Sequence, residues 1–444
     1  MKRVKIENFG AVKNVVIDID KNIQVYIGAQ ASGKSTICKI IYFCKKIRDY
    51  LLEFLMDTDQ FNRNHPNEYY NNFLKFLTKQ FMGCFGTTKH MNKFVIRYEF
   101  NQSNIQIKLN EDGYVRFSFN PLLKDAIVKI IDETASLLEK STNITYGDEL
   151  FSVLDKVSTM NIMKVQLRKL VFEIFNDDMD IIYIPAGRSL LASMSEQLHG
   201  FSITDMDLTM QEFINLITTT KNKFGSKIPD MVVNYTKTVK GQINNSATDY
   251  AYLLIKQILK ADYTSENDGE KIYFDENHWV KLMFGSSGQQ EALWILMIAF
   301  AIILEKKKSF IVIEEPEAHL FPIAQKEIIN LIALLVNTTD SQVVITTHSP
   351  YILTSINILL YSWKVENSKK IQSELTIIPK SIRLSSYKFA AYVIENRAHD
   401  NNFIMQSLLD NETGLIDTEY IDKVSEITND DLEKLIELET KYDL

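Results

Sequence analysis

At 444 residues the chain is too long for one minimal domain, and domain sizes of roughly 100–200 residues predict two or three packed units. Its 49 basic and 57 acidic residues give a net charge of −8, which excludes a generally cationic surface that coats nucleic acid. No stretch reaches the ~20 consecutive apolar residues of a membrane span. Three cysteines (Cys38, Cys44, Cys84) form no CxxC pair. We therefore predict a cytoplasmic protein with no membrane contact, disulfide framework or zinc site.

The N-terminal region predicts strand, loop and helix in that order. Alternating or continuous apolar residues predict strands over residues 2–8, 14–19 and 23–27. From Lys34 to about Leu55 the apolar residues recur at helical spacing. A glycine-rich segment separates the third strand from this helix.

Residues 57–180 differ in composition and predict an inserted, mainly helical lobe. Within it, Phe94 to Leu109 and Tyr114 to Phe119 predict a β-hairpin, and helical patterns continue to Phe175. A strand is expected from Ile181 to Ile184, before Pro185 to Arg188, and residues 189–265 return to helical and irregular patterns.

The C-terminal half predicts alternating strands and helices, which favours a parallel sheet. The expected strands are Trp279 to Met283, Phe310 to Ile313, Val343 to Thr346, Glu374 to Ile378 and Phe389 to Ile394, and the expected helices are Ala292 to Leu304, Ala324 to Leu335 and Asn429 to Tyr442.

The glycine-rich segment matches GxxxxGK[ST] without a gap. It consists of Gly28, Ala29, Gln30, Ala31, Ser32, Gly33, Lys34 and Ser35, followed by Thr36. The backbone N–H groups of such a loop converge on phosphates, the lysine reaches the β and γ oxygens, and the serine is a Mg²⁺ ligand. The alternative is a chance match in a Gly/Ser loop, which the strand before it and the helix after it disfavour.

Two adjacent acids end the apolar strand Phe310 to Ile313. Ligands of an open α/β sheet gather at the carboxyl ends of its strands, so Glu314 and Glu315 are expected there. Glu314 is the candidate Mg²⁺ partner and Glu315 the candidate general base that orients water on the γ-phosphate. A solvated acidic turn is the alternative.

Two further segments are candidates for phosphate contacts. Ser286, Ser287, Gly288 and Gln289 open the apolar helix and offer an anion site, although taken alone they favour an ordinary serine N-cap. His348 follows the strand Val343 to Thr346, where an imidazole can donate to the γ-phosphate or play a structural part.

Taken together, the segments GAQASGKST, GSSGQQE, FIVIEEPEAH and TTHSP resemble the ATP-binding cassette (ABC) family. The chain looks most like the non-transporter branch, which includes the overcoming-lysogenization-defect ATPases and the heads of chromosome-structure ATPases. It is also similar to ATPase subunits of bacterial phage-defence systems such as PARIS or Septu.

The resemblance implies an α/β P-loop fold of ABC type, with N-terminal antiparallel strands, a parallel core sheet and a mainly helical inserted lobe. The expected division is a split core (1–56 and 270–370), an insert (57–269) and C-terminal strands with an end helix (371–444). Lys34, Glu315 and His348 would be catalytic, and Ser35 and Glu314 would hold Mg²⁺.

The resemblance further implies that two chains sandwich two ATP molecules. Ser286 and Gly288 of one chain would then face the γ-phosphate held by the other, supported by Ser287, Gln289 and Gln290. Glu317 to His319 would stand where the subunits touch. The turn departs from the family's LSGGQ at Gly285 and Ser287, and no glutamine loop is assignable. For Arg188 we expect a structural ion pair rather than a position near the nucleotide.

Three functions are compatible with these motifs. The first is a regulatory ATPase whose dimer controls a separate effector, such as a nuclease or toxin, in anti-phage defence. The alternative is a DNA-maintenance or repair clamp, for which a basic stripe and coiled-coil arms are expected and neither is evident. A transporter subunit ranks last. Direct nucleic-acid binding and the identity of the effector stay open.

Overall fold

The computed structural model describes residues 2–57, 61, 68–142, 149–193, 206–223, 227–238, 245–266, 269–366, 377–397 and 402–417. The strands are β1 (Lys2–Phe9), β2 (Val12–Asp18), β3 (Ile23–Ile27), β4 (Val95–Phe100), β5 (Ser103–Leu109), β6 (Val115–Phe119), β7 (Asp180–Ile184), β8 (Asp262–Glu266), β9 (Gly269–Tyr273), β10 (Trp279–Lys281), β11 (Ser309–Glu314), β12 (Gln342–Thr347), β13 (Phe389–Arg397) and β14 (Asn402–Ser407). The helices are α1 (Lys34–Met56), α2 (Tyr69–Phe85), α3 (Pro121–Thr142), α4 (Glu149–Phe175), α5 (Ser189–Ser193), α6 (Leu208–Lys221), α7 (Ile228–Thr238), α8 (Asn245–Leu259), α9 (Ser287–Glu305), α10 (Pro322–Thr339) and α11 (Pro350–Glu366).

A six-stranded sheet forms the centre of the fold, in the order β14-β13-β3-β12-β11-β7. All neighbouring pairs are parallel except β13 and β14. The apolar side chains of β11 alternate between faces: Ile311 and Ile313 pack on one side, and Phe310 and Val312 on the other. Both faces are therefore buried, which explains why the parallel strands are continuous apolar runs.

Helices cover the two faces of this sheet in different ways. One face packs on α1, which also contacts the antiparallel sheet β2-β1-β4-β5-β6. The other face packs on α8, α9, α10 and α11. Of the helices described, α9 alone is long and apolar enough to cross a membrane, yet 83% of its apolar window is buried inside the fold. Its composition is that of a core helix.

The predicted fold class is confirmed: an α/β P-loop fold with N-terminal antiparallel strands, a parallel core sheet and a helical lobe.

The prediction of one strand over Phe94 to Leu109 was wrong, because Asn101, with φ +49°, turns the chain between β4 and β5. The division into core and insert stays a prediction. Strands β4 to β6 join the N-terminal sheet, and β7 is an edge strand of the core sheet.

Two predictions for the C-terminal half were wrong in detail. The strand expected over Trp279 to Met283 is the shorter β10, which pairs with β9 in a separate antiparallel sheet, and a 3₁₀ turn follows it over Leu282–Phe284. Helix α11 was not anticipated after Pro350. The strand near Phe389 is confirmed. Of the strand expected over Glu374 to Ile378, residues 374–376 lie outside the described residues and 377–378 form a bend; the end helix expected over 429–442 also lies outside the described residues.

Candidate active site

The candidate residues follow strands whose carboxyl ends lie side by side. Thr347 on β12 pairs with Ile27 on β3, and Thr346 pairs with Glu314 on β11. The phosphate loop, the acidic pair and His348 therefore begin at one edge of the sheet, where open α/β sheets bind ligands.

The backbone path of the phosphate loop explains its glycines. A Cβ on Gly28 would lie 2.1 Å from the carbonyl oxygen of Ile394 on the neighbouring β13. Gly33 has φ +103°, a backbone conformation that side chains disfavour. Ala31, at the position where the family often has glycine, also has a left-handed backbone, with φ +58°. The loop thus contains one non-glycine residue in a strained conformation.

The remaining loop residues leave polar groups available for a ligand. Ala29, Gln30 and Ser35 are exposed and Thr36 is half-buried. The hydroxyl of Ser32 is buried and has no hydrogen-bond partner among the described residues. An orphaned buried hydroxyl beside a helix N-terminus suits a ligand with oxygen acceptors.

Lys34 is bound to its own loop. Its Nζ donates to the carbonyl oxygens of Gly28 at 2.8 Å and Ala29 at 2.9 Å. Burial lowers the pKa of the Lys34 ammonium group, and the negative charge of Glu315 opposes that shift. The structure thus brings Lys34 and the acidic strand end together.

Glu314 is a buried carboxylate with one free oxygen. Its Oε2 accepts a hydrogen bond from the Ala186 N–H at 3.2 Å, and its Oε1 is buried without a partner among the described residues. Burial, together with the charge of Glu314, raises the pKa of Tyr183 well above its usual value. The free carboxylate oxygen is a group that a cation or a water molecule would satisfy.

Glu315 is held by contacts to the neighbouring strand β12. Its backbone lies in the left-handed region with φ +43°, and its N–H donates to the carbonyl oxygen of Thr346 at 3.0 Å. Its Oε1 lies 2.9 Å from Nε2 of His348, and each side chain is about one-third exposed. The candidate base and His348 are therefore in direct contact.

Glu317 fixes the backbone at His348. Its Oε1 accepts hydrogen bonds from Thr347 Oγ1 at 2.6 Å and from the His348 N–H at 2.8 Å, while its Oε2 is buried without a partner among the described residues. Sequence reasoning placed Glu317 at a subunit contact and missed this role. The contact spans 30 residues of sequence, and no local pattern indicates it.

The turn before α9 is a serine-capped helix N-terminus. Ser286 Oγ accepts from the Gln289 N–H at 3.3 Å, and Gln289 Oε1 accepts from the Ser286 N–H at 3.0 Å, which together form a capping box. Ser286 and Ser287 are exposed. A Cβ on Gly288 would lie 2.8 Å from the carbonyl oxygen of His319. Packing within one chain is therefore enough to explain a glycine at this position.

Arg188 is fully buried and forms an ion pair with Glu291, which confirms the expected structural ion pair. The separation between its Nε and Glu291 Oε2 is 3.3 Å. Sequence reasoning did not identify Glu291 as its partner.

The residues at this edge fit a nucleotide with Mg²⁺. Three carboxylates, those of Glu314, Glu315 and Glu317, act on Lys34 electrostatically, so the edge carries an excess of negative charge for a cation to offset. The part of the chain that the structure describes holds no group of three or more His, Cys, Asp or Glu side chains suited to a metal. Mg²⁺ in nucleotide sites needs no such group, because one or two protein oxygens, phosphates and waters complete its octahedron.

Comparison with known proteins decides the family. A family described as "AAA ATPase domain" matches residues 1–353. The chain belongs to this AAA ATPase domain family. The match includes the phosphate loop, the acidic strand and His348, so the ATP-binding character predicted from the motifs agrees with the family.

Solved structures similar to this chain are Smc head domains. They are the SmcHead bound to the C-winged helix domain of ScpA (12% identity, covering 91% of this chain and 97% of that chain, TM-score 0.41), the SMC head domain from Thermotoga maritima (10%, 91% and 97%, TM-score 0.36), and the Smc head domain with an extended coiled coil bound to the C-terminal domain of ScpA derived from Pyrococcus furiosus (12%, 96% and 100%, TM-score 0.40). No curated protein matches the chain.

Proposed function

We propose that this member of the AAA ATPase domain family binds ATP with Mg²⁺ and hydrolyses it, with Glu315 as the general base. The observation that carries the proposal is the 2.9 Å contact between Glu315 and His348 at the edge of the sheet where the phosphate loop begins. A carboxylate and an imidazole in contact at this edge are suited to orienting a water molecule toward a γ-phosphate.

The residues of the phosphate loop and of the strand ends then each have a role in binding or hydrolysing ATP. The N–H groups of residues 28–36 cradle the phosphates, and Lys34 exchanges its two carbonyl contacts for β- and γ-phosphate oxygens. Ser35 and the free oxygen of Glu314 would hold Mg²⁺, which neutralises the charge that develops on the phosphates. Glu315 would accept the proton of the attacking water while the water oxygen bonds to the γ-phosphorus and the bond from that phosphorus to the bridging oxygen breaks, which releases ADP and phosphate. His348 orients Glu315.

We propose that the active form is a head-to-tail dimer in which Ser286, Ser287, Gly288 and Gln289 of one copy contact the γ-phosphate bound by the other. Large exposed apolar side chains beside the motifs support this arrangement. Phe284 precedes the turn, Phe321 follows the acidic segment and Tyr351 follows His348, and their exposures are 71%, 72% and 53%. Apolar side chains in such positions are typical of a protein interface.

Sedimentation velocity with Mg²⁺·ATP tests the dimer. In the Glu315→Gln background we expect ATP to convert monomer to dimer, and Phe321→Ser to reduce that conversion. The matched control is Tyr114→Ser, which removes an exposed aromatic ring from the turn before β6 on the other sheet. Monomer at all ATP concentrations would overturn the dimer, and equal dimerisation with and without Phe321→Ser in the Glu315→Gln background would overturn the placement of Phe321 at its interface.

We further propose that the dimer controls a separate effector, such as a nuclease or toxin, in the cytoplasm of a bacterium under phage attack. The support is the resemblance of the overall pattern, a small cassette with a mainly helical insert and an EEPEAH strand, to defence ATPases. The test is phage challenge of cells that express the chain with the product of the neighbouring reading frame. Lys34→Ala should abolish protection. Protection by the Lys34 variant would refute the role, and turnover stimulated by DNA alone would favour a DNA clamp.

A further inference from the structure

Arg188 is a fully buried cation at the carboxyl end of β7, and four backbone carbonyl groups surround its guanidinium group. Nε donates to Glu291 at 2.9 Å, Nη1 to Pro185 at 2.6 Å and to Glu314 at 2.7 Å, and Nη2 to Glu315 at 2.9 Å. These carbonyls belong to the ends of β7 and β11 and to helix α9. One planar side chain with N–H donors in a fixed fork therefore joins three elements.

Glu291 balances this charge and is itself fully bonded. Its Oε2 lies 3.3 Å from Arg188 Nε and accepts the Arg188 N–H at 3.1 Å, and its Oε1 accepts the Ser189 N–H at 3.0 Å. Its side chain is only 3% exposed. A buried ion pair is tolerated when its remaining donors and acceptors are satisfied, and removal of either partner leaves an uncompensated charge.

The Arg188 contact acts on a strained residue of the site. Glu315 is a non-glycine residue with φ +43°, and such a conformation persists only where the surroundings hold it. Its N–H is held by Thr346, and its carbonyl oxygen is held by Arg188. The direction of the Glu315 carboxylate thus depends on a backbone that the guanidinium group holds.

Glu291 lies in the second turn of α9, next to the residue that fixes the turn before this helix. Gln290 Nε2 donates to the carbonyl oxygens of Leu282, Met283 and Gly285, at 3.0 to 3.2 Å. A displacement of α9 therefore reaches both the 286–289 turn and Arg188.

We propose that Arg188 and Glu291 are positioning residues that hold Glu315 in place and couple it to the 286–289 turn. The inference rests on the proposed function in one respect, because it takes Glu315 as the base. The ion pair acts through Glu315 and the turn, so it should govern turnover and leave nucleotide affinity nearly unchanged.

The experiment combines hydrogen–deuterium exchange with steady-state ATPase kinetics on the full chain. Arg188→Lys keeps the charge but loses the planar fork, and Glu291→Gln keeps the shape but loses the charge. For both variants we expect faster amide exchange in residues 285–291 and 314–319 together. We also expect kcat to fall at least about tenfold, with KM within about threefold of wild type.

Lys2→Met is the matched control. It removes an ion pair of 2.7 Å to the buried Asp177, which precedes the amino end of β7 and so lies at the opposite end of this strand from Arg188; it should lower stability without changing kcat or the exchange of the two segments. A role of Arg188 in stability alone would give the same pattern as this control.

The outcomes separate the two proposals. Faster exchange in one segment only, or in neither, would overturn the coupling, and faster exchange with wild-type kcat would overturn the positioning of Glu315. If the wild-type chain does not hydrolyse ATP, the proposed function fails and the exchange data alone decide the coupling. Should Arg188→Lys fail to fold, Glu291→Gln gives the same comparison.

Discussion

His348 Nε2 lies 2.9 Å from Glu315 Oε1, and the two residues follow adjacent parallel strands. The register that pairs Glu314 with Thr346 brings Glu315 level with Thr347, one residue before His348, at the sheet edge. Glu317 adds a second link, because its carboxylate accepts the His348 N–H. Two direct contacts therefore join the acidic segment to His348.

Replacement of Glu315 by glutamine should separate binding from turnover. The amide keeps the size of the side chain but cannot accept a proton, so we expect kcat to fall by about 10²–10⁴, the usual contribution of a general base. Affinity for ATP should stay within a few-fold of wild type, because the phosphate loop is unchanged. Phosphate release and fluorescent-nucleotide binding measure the two quantities. Equal ATPase rates for the variant and wild type would refute the assignment of Glu315 as base.

The Glu317–His348 contact makes a prediction about additivity. Glu317→Ala removes the acceptor for the His348 N–H, and His348→Ala removes the ring that contacts Glu315. If Glu317 acts through His348, the double variant should lose about as much kcat as His348→Ala alone, because residues in one network are not additive. The ATPase rates of the four proteins complete the cycle. Additive losses would show that Glu317 acts independently of His348.

Sequence patterns predicted the central elements because their signals are local. The phosphate loop lies between a buried strand and a helix, and the runs ending at Glu314 and Thr347 are apolar because both faces of the sheet are covered. Helix α11 was missed after Pro350, although proline suits the first position of a helix. The partner of β10 was not predictable either, because strand pairing is not a local property.

The contacts within the site were beyond sequence reasoning for the same reason. Arg188 and Glu291 are 103 residues apart, and Glu315 and His348 are 33 apart. Glu315 and His348 are close because β11 and β12 are neighbours in the sheet, whereas Arg188 and Glu291 are close because α9 packs against the residues that follow β7. The motifs supplied the residue types, and the packing of strands and helices supplied the pairs.

Backbone geometry predicts opposite effects for two small substitutions in the phosphate loop. Gly28→Ala would place a Cβ 2.1 Å from the Ile394 carbonyl oxygen, so the loop or β13 must shift and ATP affinity should fall at least about tenfold. Ala31→Gly relieves a left-handed backbone that costs about 1 kcal/mol, and should keep affinity and raise or maintain the melting temperature. Nucleotide titration and thermal denaturation test both. Normal binding by Gly28→Ala would contradict the close approach of β13.

The stability of the fold should depend on the protonation of Glu212, which lies on α6 and faces α1. Its carboxylate is hydrogen-bonded by Tyr42, lies 3.4 Å from the Tyr50 hydroxyl and lies 3.5 Å from Lys46 Nζ. Burial raises the pKa of Glu212 to about 7 from an ordinary value of 4.5. The folded protein therefore holds a proton on this group in a pH range where the unfolded chain has released it.

It follows that the free energy of unfolding contributed by Glu212 is fully present below pH 4.5 and is lost as the pH rises to about 7. The loss should be about 2 to 3 kcal/mol, since one pKa unit is worth about 1.4 kcal/mol and the Lys46 ammonium group opposes the effect of burial. Urea denaturation of wild type and Glu212→Gln between pH 5 and about pH 8 measures this loss. In the variant, the free energy of unfolding should lack the part of its pH dependence that Glu212 contributes. Glu173→Gln, at an exposed glutamate on α4, is the control, and its free energy of unfolding should keep the wild-type dependence on pH. The same pH dependence in wild type and Glu212→Gln would show that Glu212 is ionised in the folded protein across this range.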